Sequence, residues 1–249
     1  MARTALRRHL APAWLPSALV QARAETDSAR TLRFEVPDWP GHLAGQHVDV
    51  RLTAEDGYTA QRSYSLSAPA NGTAVEITVQ RVPDGEVSTY LVDDMQVGDT
   101  IEILGPLGGW FTWRATQPPP TLLIGGGSGI APLMAMFRAG ARLGAGSSFR
   151  LLYSVRTPAD VYFADELLDA SDPDAIQVLY TRAAPTASAR PAGRITAADL
   201  RDHGWPAQAR PTCYVCGPTP FVEAVTALLV SAGHSPDLIR AERFGPTGG

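Results

Sequence analysis

Two domains of different class are expected: an antiparallel β-barrel over residues 1–116, and an α/β domain with a parallel sheet over residues 117–249. Three features predict them. Residues 19–104 read as short strands alternating apolar and polar positions, with turn residues between them. A proline triplet, Pro118-Pro119-Pro120, follows. Beyond it come short, wholly apolar runs separated by helical patterns, as in buried parallel strands with crossover helices.

In the first half, segments 31–36, 46–52 and 75–82 alternate in the strand manner, and Asp56-Gly57 and Asn71-Gly72 punctuate them as turns. Regular short strands of this kind suggest a small barrel. Segment 58–67 reads as a further strand and carries Arg62-Ser63-Tyr64-Ser65, a cation, an aromatic face and two hydroxyls within four residues. Those groups suit a phosphorylated planar ligand, although polar residues and Tyr also alternate in strands that bind nothing. Gln117 and the three prolines then predict a stiff, extended spacer.

In the second half the parallel strands are expected at 121–124, 149–155, 176–180 and 212–216. The first runs into Gly125-Gly126-Gly127-Ser128-Gly129 and then a helix with Ile130, Leu133, Met134 and Phe137 on one face. Pro132 is tolerated in the first helical turn, where no intrahelical N–H is lost. Glycines let a diphosphate approach the backbone, and the helix N-terminus offers free N–H groups and a partial positive charge. A tight strand-to-helix turn that binds nothing uses the same residues. The spacing also departs from G-x-G-x-x-G, with no acidic residue ending the next strand. The fourth strand closes with Cys216-Gly217-Pro218 before a helix over 219–229, so Cys216 is expected at the same crevice as the glycine loop.

Composition narrows the function. A formal net charge of -4 argues against general nucleic-acid binding. All 21 basic residues are arginine, which codon bias explains better than phosphate chemistry. Cys213 and Cys216 stand three apart on a strand, hence on opposite faces, and two thiolates cannot hold an iron–sulfur cluster. No metal site is expected. No apolar stretch approaches the ~20 residues that span a bilayer, and Pro12 and Pro16 interrupt the basic start that includes Arg7 and Arg8. A soluble, cytoplasmic monomer without a nucleic-acid or membrane partner is therefore expected.

Arg62-Ser-Tyr-Ser65, Gly85-Glu-Val-Ser88, Gly105-Pro-Leu-Gly108, Gly125 to Pro132, Cys216-Gly-Pro218 and Glu242-Arg-Phe244 together, and in this order, resemble the ferredoxin–NADP reductase superfamily. The resemblance spans residues 18–244. It implies FAD on the N-terminal barrel (with FMN the lesser alternative), NADPH or NADH on the C-terminal domain, and hydride transfer where the two rings meet.

By resemblance, Arg62 pairs with the flavin diphosphate, Tyr64 covers one flavin face, Ser63 lies in the same strand, and Ser65 hydrogen-bonds near N5. Gly85, Val87 and Ser88 form a second phosphate-gripping turn, preceded by Gln80, Arg81 and Val82. An N-cap on a helix over 89–95 explains Ser88 as well, and an exposed strand arginine explains Arg81. Gly125, Gly126, Gly127, Ser128, Gly129, Cys216, Gly217 and Pro218 take the nucleotide, with Cys216 beside the nicotinamide and Glu242 and Phe244 closing the far side. Arg156 and Arg182, at the next two strand ends, suit a 2′-phosphate, a diphosphate, or ion pairs with Asp160, Asp165 or Glu166. The implied partner is a separate electron acceptor: a ferredoxin, a haem oxygenase or a metal-dependent oxidase. Free flavin or a small oxidant is the alternative acceptor, and a non-catalytic nucleotide-binding subunit the alternative of another class.

Overall fold

The structure, a computed structural model, describes residues 13–118, 120–168, 175–186 and 188–244. Arg7, Arg8, Pro119 and the tail after Phe244 lie outside these residues. Six antiparallel strands form the first sheet: β1 (Trp14–Thr26), β2 (Ala29–Glu35), β3 (His47–Thr53), β4 (Thr59–Ser65), β5 (Ala74–Gln80) and β6 (Thr100–Leu107), in the order β4-β3-β6-β1-β2-β5. A bridge between Leu66 and Ile77 brings the two outer strands together and curls the sheet into a barrel. Leu32, Phe34, Val48, Val50, Val75, Ile77 and Ile103 fill it, which explains why their strands alternate. The first strand is longer than the sequence suggests, because Trp14 to Ala18 pair with β6 before the chain turns to β2.

The second sheet is parallel throughout, with β7 (Thr121–Gly126), β8 (Phe149–Val155), β9 (Ile176–Tyr180), β10 (Thr212–Pro218) and β11 (Ile239–Phe244) in the order β11-β10-β7-β8-β9. Helices include α2 (Ile130–Arg142), α3 (Ala164–Leu168), α4 (Ala197–His203) and α5 (Thr219–Ser231); a short α1 (Glu86–Thr89) precedes a π-helical turn, Tyr90–Asp94, in the barrel half. Strands β7, β8 and β10 are buried almost end to end, hence their unbroken apolar runs. Cys213 and Cys216 sit in the cores on opposite faces of the sheet, as their spacing requires.

The proline segment is not a free spacer. Gln117 Oε1 lies 2.7 Å from the Tyr214 hydroxyl on β10, and the Pro120 carbonyl accepts from Thr212 N at 3.1 Å. Buried polar groups of β10 need partners, and the chain between the sheets supplies them.

Candidate functional site

Strand β4 pairs with β3 along one edge, Arg62 opposite Val50 and Tyr64 opposite Val48. Its other edge meets β5 only past Ser65, at the Leu66–Ile77 bridge and where Ser67 N donates to Glu76 O at 2.9 Å. At the far end the Tyr58 hydroxyl donates to Glu86 Oε2 of α1 at 3.1 Å. Between these ties the edge of β4 faces the 81–88 turn with no strand between them.

Arg62 is exposed, and the hydrogen bond it makes among the described residues is to its neighbour's carbonyl, Gln61 O, at 2.7 Å. Most of its five donors are uncommitted. Tyr64 is half-buried on the same face; burial pushes its phenol up, against the opposing pull of Arg62. Ser65 is buried and paired in register with His47, and its hydroxyl makes no hydrogen bond among the described residues. Ser63 is not brought to the Arg62 and Tyr64 face, because its hydroxyl donates to Asp49 of β3.

Across the gap, Gln80 is exposed and Val82 presents an apolar side chain that is 56% exposed. Arg81 is ion-paired with Asp93 at 2.8 Å. Gly85 is required for packing: a Cβ there would stand 2.5 Å from Ser88 Oγ and 2.9 Å from Val82 O.

The expected N-cap role of Ser88, and the helix start at 89, are overturned. The helix begins at Glu86 with Gly85 as its extended N-cap, and Ser88 lies inside the first turn. Its hydroxyl accepts from Val82 N and donates to Gly85 O, both at 3.1 Å, so it satisfies the preceding turn instead. Val87 is a core residue and offers a ligand only its backbone.

On the α/β side, Gly125 pairs with Cys216 across β7 and β10. Gly127 is left-handed, at φ +54°, and a Cβ on it would meet open space. Gly129 is forced by contact, since a Cβ would lie 2.2 Å from Cys216 O. No side chain caps this helix start; the Ile130 N–H bonds back to Gly127 O and Ser128 O, and the turn stands beside exposed Pro218 and half-buried Ser128. Phe221, which the sequence did not single out, backs the crevice: its ring would lie 2.8 Å from a Cβ on Gly126 and 2.9 Å from one on Gly217.

Cys216 is fully buried, and burial together with the nearby Glu242 pushes its thiol well above the ordinary range, so no thiolate is available. Glu242, opposite Cys216 in the β10–β11 register, has its carboxyl pushed up to about 7 by burial. Phe244 packs against the same core cluster as Cys216. Arg156 and Arg182 are exposed and adjacent: Arg182 N donates to Arg156 O at 2.9 Å. Asp160 is engaged by Thr157 and Glu166 by Arg138, and among the described residues neither Arg156 nor Arg182 makes an ion pair.

These residues fit two phosphorylated cofactors. The barrel offers a guanidinium largely uncommitted among the described residues, a bare Val82 and a turn tightened at Gly85; the α/β domain offers an uncapped helix start and two cations that make no ion pair among the described residues. Among the described residues no helix is long and apolar enough to cross a membrane.

Comparison with known proteins agrees. Residues 16–112 match the oxidoreductase FAD-binding domain and residues 123–227 the oxidoreductase NAD-binding domain. The chain is 31% identical over 225 residues to the ferredoxin–NAD(P)(+) reductase component of the naphthalene 1,2-dioxygenase/salicylate 5-hydroxylase systems of Ralstonia sp., covering 90% of this chain and 66% of that protein. It is 34% identical over 237 residues to the ferredoxin reductase component of 3-ketosteroid-9-alpha-monooxygenase from Mycobacterium tuberculosis, covering 88% and 62%. The chain thus spans slightly under two thirds of the length of these two relatives. Among solved structures, the cytochrome P450 reductase GcoB of Amycolatopsis superposes with a TM-score of 0.78 at 27% identity, covering 95% of this chain and 71% of that one.

Proposed function

This chain belongs to the ferredoxin–NADP reductase superfamily, and from that membership we propose its activity: transfer of a hydride from NAD(P)H to FAD, then delivery of the electrons to a separate redox acceptor. In this reading residues 1–116 form the FAD domain and residues 117–249 the nucleotide domain, acting as a cytoplasmic monomer. The observation that carries the reading is the pairing of two incomplete walls. Uncommitted side chains stand on β4, and uncapped backbone N–H groups stand at the β7–α2 turn.

Bound FAD supplies the redox chemistry, accepting a hydride and passing on electrons singly. The protein supplies position and field. Arg62 binds a phosphate in the geometry a planar guanidinium favours, and Tyr64 offers an aromatic face beside it. The Ser65 hydroxyl, which makes no hydrogen bond among the described residues, is placed to bond the cofactor. Gly129 lets the helix start close on Cys216 O, and Gly127 lets the backbone turn toward a diphosphate. Glu242, with its carboxyl pushed up to about 7 by burial, carries less negative charge beside the nucleotide than an exposed glutamate would. Arg156 and Arg182 favour the 2′-phosphate of NADPH.

The acceptor class follows the relatives, whose names place them with oxygenases and a cytochrome P450. We assign the same role here, with a one-electron redox protein as acceptor. The test is turnover of the FAD-loaded protein with NADPH or NADH against a panel of ferredoxins, haem proteins and free flavin. Fast reduction of a protein acceptor supports the reading. Reduction of free flavin alone would make the chain a flavin reductase, and no oxidation of either nucleotide would remove the enzymatic reading altogether.

A further inference from the structure

Helix α2 begins at the glycine loop and, two turns on, sends Arg138 out of its own domain to the barrel. Arg138 Nη1 donates to Ser67 O and to Glu76 Oε1, each at 2.8 Å. Nε donates to Glu166 Oε2 at 2.8 Å and Nη2 to the other oxygen of that carboxylate. The guanidinium lies over the Phe163 ring, 4.8 Å from its centroid, and the side chain is 18% exposed. The two bonds to Glu166 fix the plane of the guanidinium, and in that plane its remaining corner points at the barrel.

A second strut runs beside the first. Phe163, left-handed at φ +56°, donates its N–H to Glu25 Oε2 at 2.7 Å. Glu25 also accepts from Thr31 Oγ1 at 2.6 Å and from Arg23, and its side chain is 4% exposed. The start of α3 is thereby tied to the barrel independently and presents Glu166 and the Phe163 ring to Arg138.

The contact falls next to the reacting region. Ser67 is two residues past Ser65, and Glu76 adjoins Ile77, which closes the barrel against Leu66. The carbonyl that Arg138 grips thus belongs to the segment carrying Ser65, while the helix carrying Arg138 starts at Gly129. One side chain spans the two walls of the proposed cleft. An exposed ion pair alone contributes little to stability, but a cation between Glu76 and Glu166 has a further effect. Without it, two carboxylates from different domains face each other and repel.

We propose that Arg138 is a positioning residue for hydride transfer: it sets the separation between the glycine-loop wall and the Tyr64–Ser65 wall while touching neither cofactor. This rests on the hydride-transfer reading above. Hydride transfer tolerates little displacement, so a misplacement of about 1 Å lowers the rate by roughly a hundredfold.

The experiment compares wild type, Arg138→Gln and Arg138→Lys, each loaded with FAD and mixed anaerobically with NADPH or NADH. In Arg138→Gln, flavin reduction slows by roughly tenfold or more, the long-wavelength charge-transfer band of the stacked rings weakens, and FAD affinity and nucleotide KM stay near wild type. Arg138→Lys restores part of the band and the rate, because the charge still separates the carboxylates. In FAD-free protein, Arg138→Gln also speeds amide exchange at residues 66–68 and 164–168. If Arg138→Gln does not fold, Glu76→Ala removes one of the two barrel anchors of Arg138 and leaves the bond to Ser67 O, and a smaller loss of the band and of the rate is expected. A wild-type rate with an undiminished band in these variants overturns the proposal. Wild type that is not reduced at all overturns the function reading instead.

Discussion

The two walls of the proposed cleft are built in opposite ways. On the barrel the wall consists of side chains that the fold leaves idle: among the described residues Arg62 bonds only the adjacent carbonyl and the Ser65 hydroxyl has no partner. On the α/β domain it consists of missing side chains, with Gly129 pressed on Cys216 O and Gly126 and Gly217 pressed on Phe221. Substitution on the first wall should therefore spare the fold and damage binding or rate. On the second wall it should damage the fold first.

The largest effect is expected from Gly129→Ala. Its methyl meets a backbone carbonyl that cannot swing away, so the helix start must shift. Overpacking of this kind costs about 3 kcal/mol, or roughly 6–12 °C in Tm for a chain of this size, measurable by calorimetry on FAD-free protein. An unchanged Tm would mean that the helix start can move away from Cys216 O. Arg62→Ala should leave that Tm almost unmoved yet raise the FAD dissociation constant by roughly 10- to 100-fold, the worth of a charge-assisted phosphate contact. Flavin fluorescence titration reads it, and undiminished affinity would take the diphosphate away from Arg62. Ser65→Ala should keep FAD bound and slow its reduction by about tenfold, since only one hydrogen bond is lost. Stopped-flow rates equal to wild type would remove Ser65 from the reaction.

The smallest effect is one of pH. The Glu242 carboxyl is raised to about 7 in the folded protein by burial, above the usual carboxylate range. The folded state therefore binds the proton more tightly than the unfolded chain. Its contribution is fully present below the unfolded value, near 4.5, and is lost as pH rises through about 7. Glu242→Gln should remove this dependence, so that the variant gains stability relative to wild type between roughly pH 5 and pH 8. A difference in Tm that stays flat across that window would place Glu242 in solvent.

The segments proposed as the two walls are ones whose local chemistry the sequence displays. Arg62 to Ser65 combines strand alternation with ligand-binding residue types, and Gly125 to Gly129 sits between an apolar run and a helical face. What the sequence did not carry was contact at long range. Arg138 reads as an ordinary helix arginine until Ser67 and Glu76 are folded against it. Phe221 reads as an apolar helix residue until two glycines close on its ring.

Ser88 departs from its sequence expectation for a related reason. A serine before a helical stretch matches a cap, but the helix started earlier, at the turn Ser88 itself stabilises. Ser63 shares its tetrapeptide with Arg62 and Tyr64, yet pleating turns it to Asp49.

The central claim is that the two walls hold a nicotinamide against a flavin. Anaerobic reduction of the FAD-loaded protein by NADPH and NADH carrying deuterium at C4 tests it directly. Bleaching of the flavin band should occur and should be slower with deuterium on the transferred face than with hydrogen. A protein that binds no flavin, or whose flavin is not bleached by either nucleotide, would contradict it.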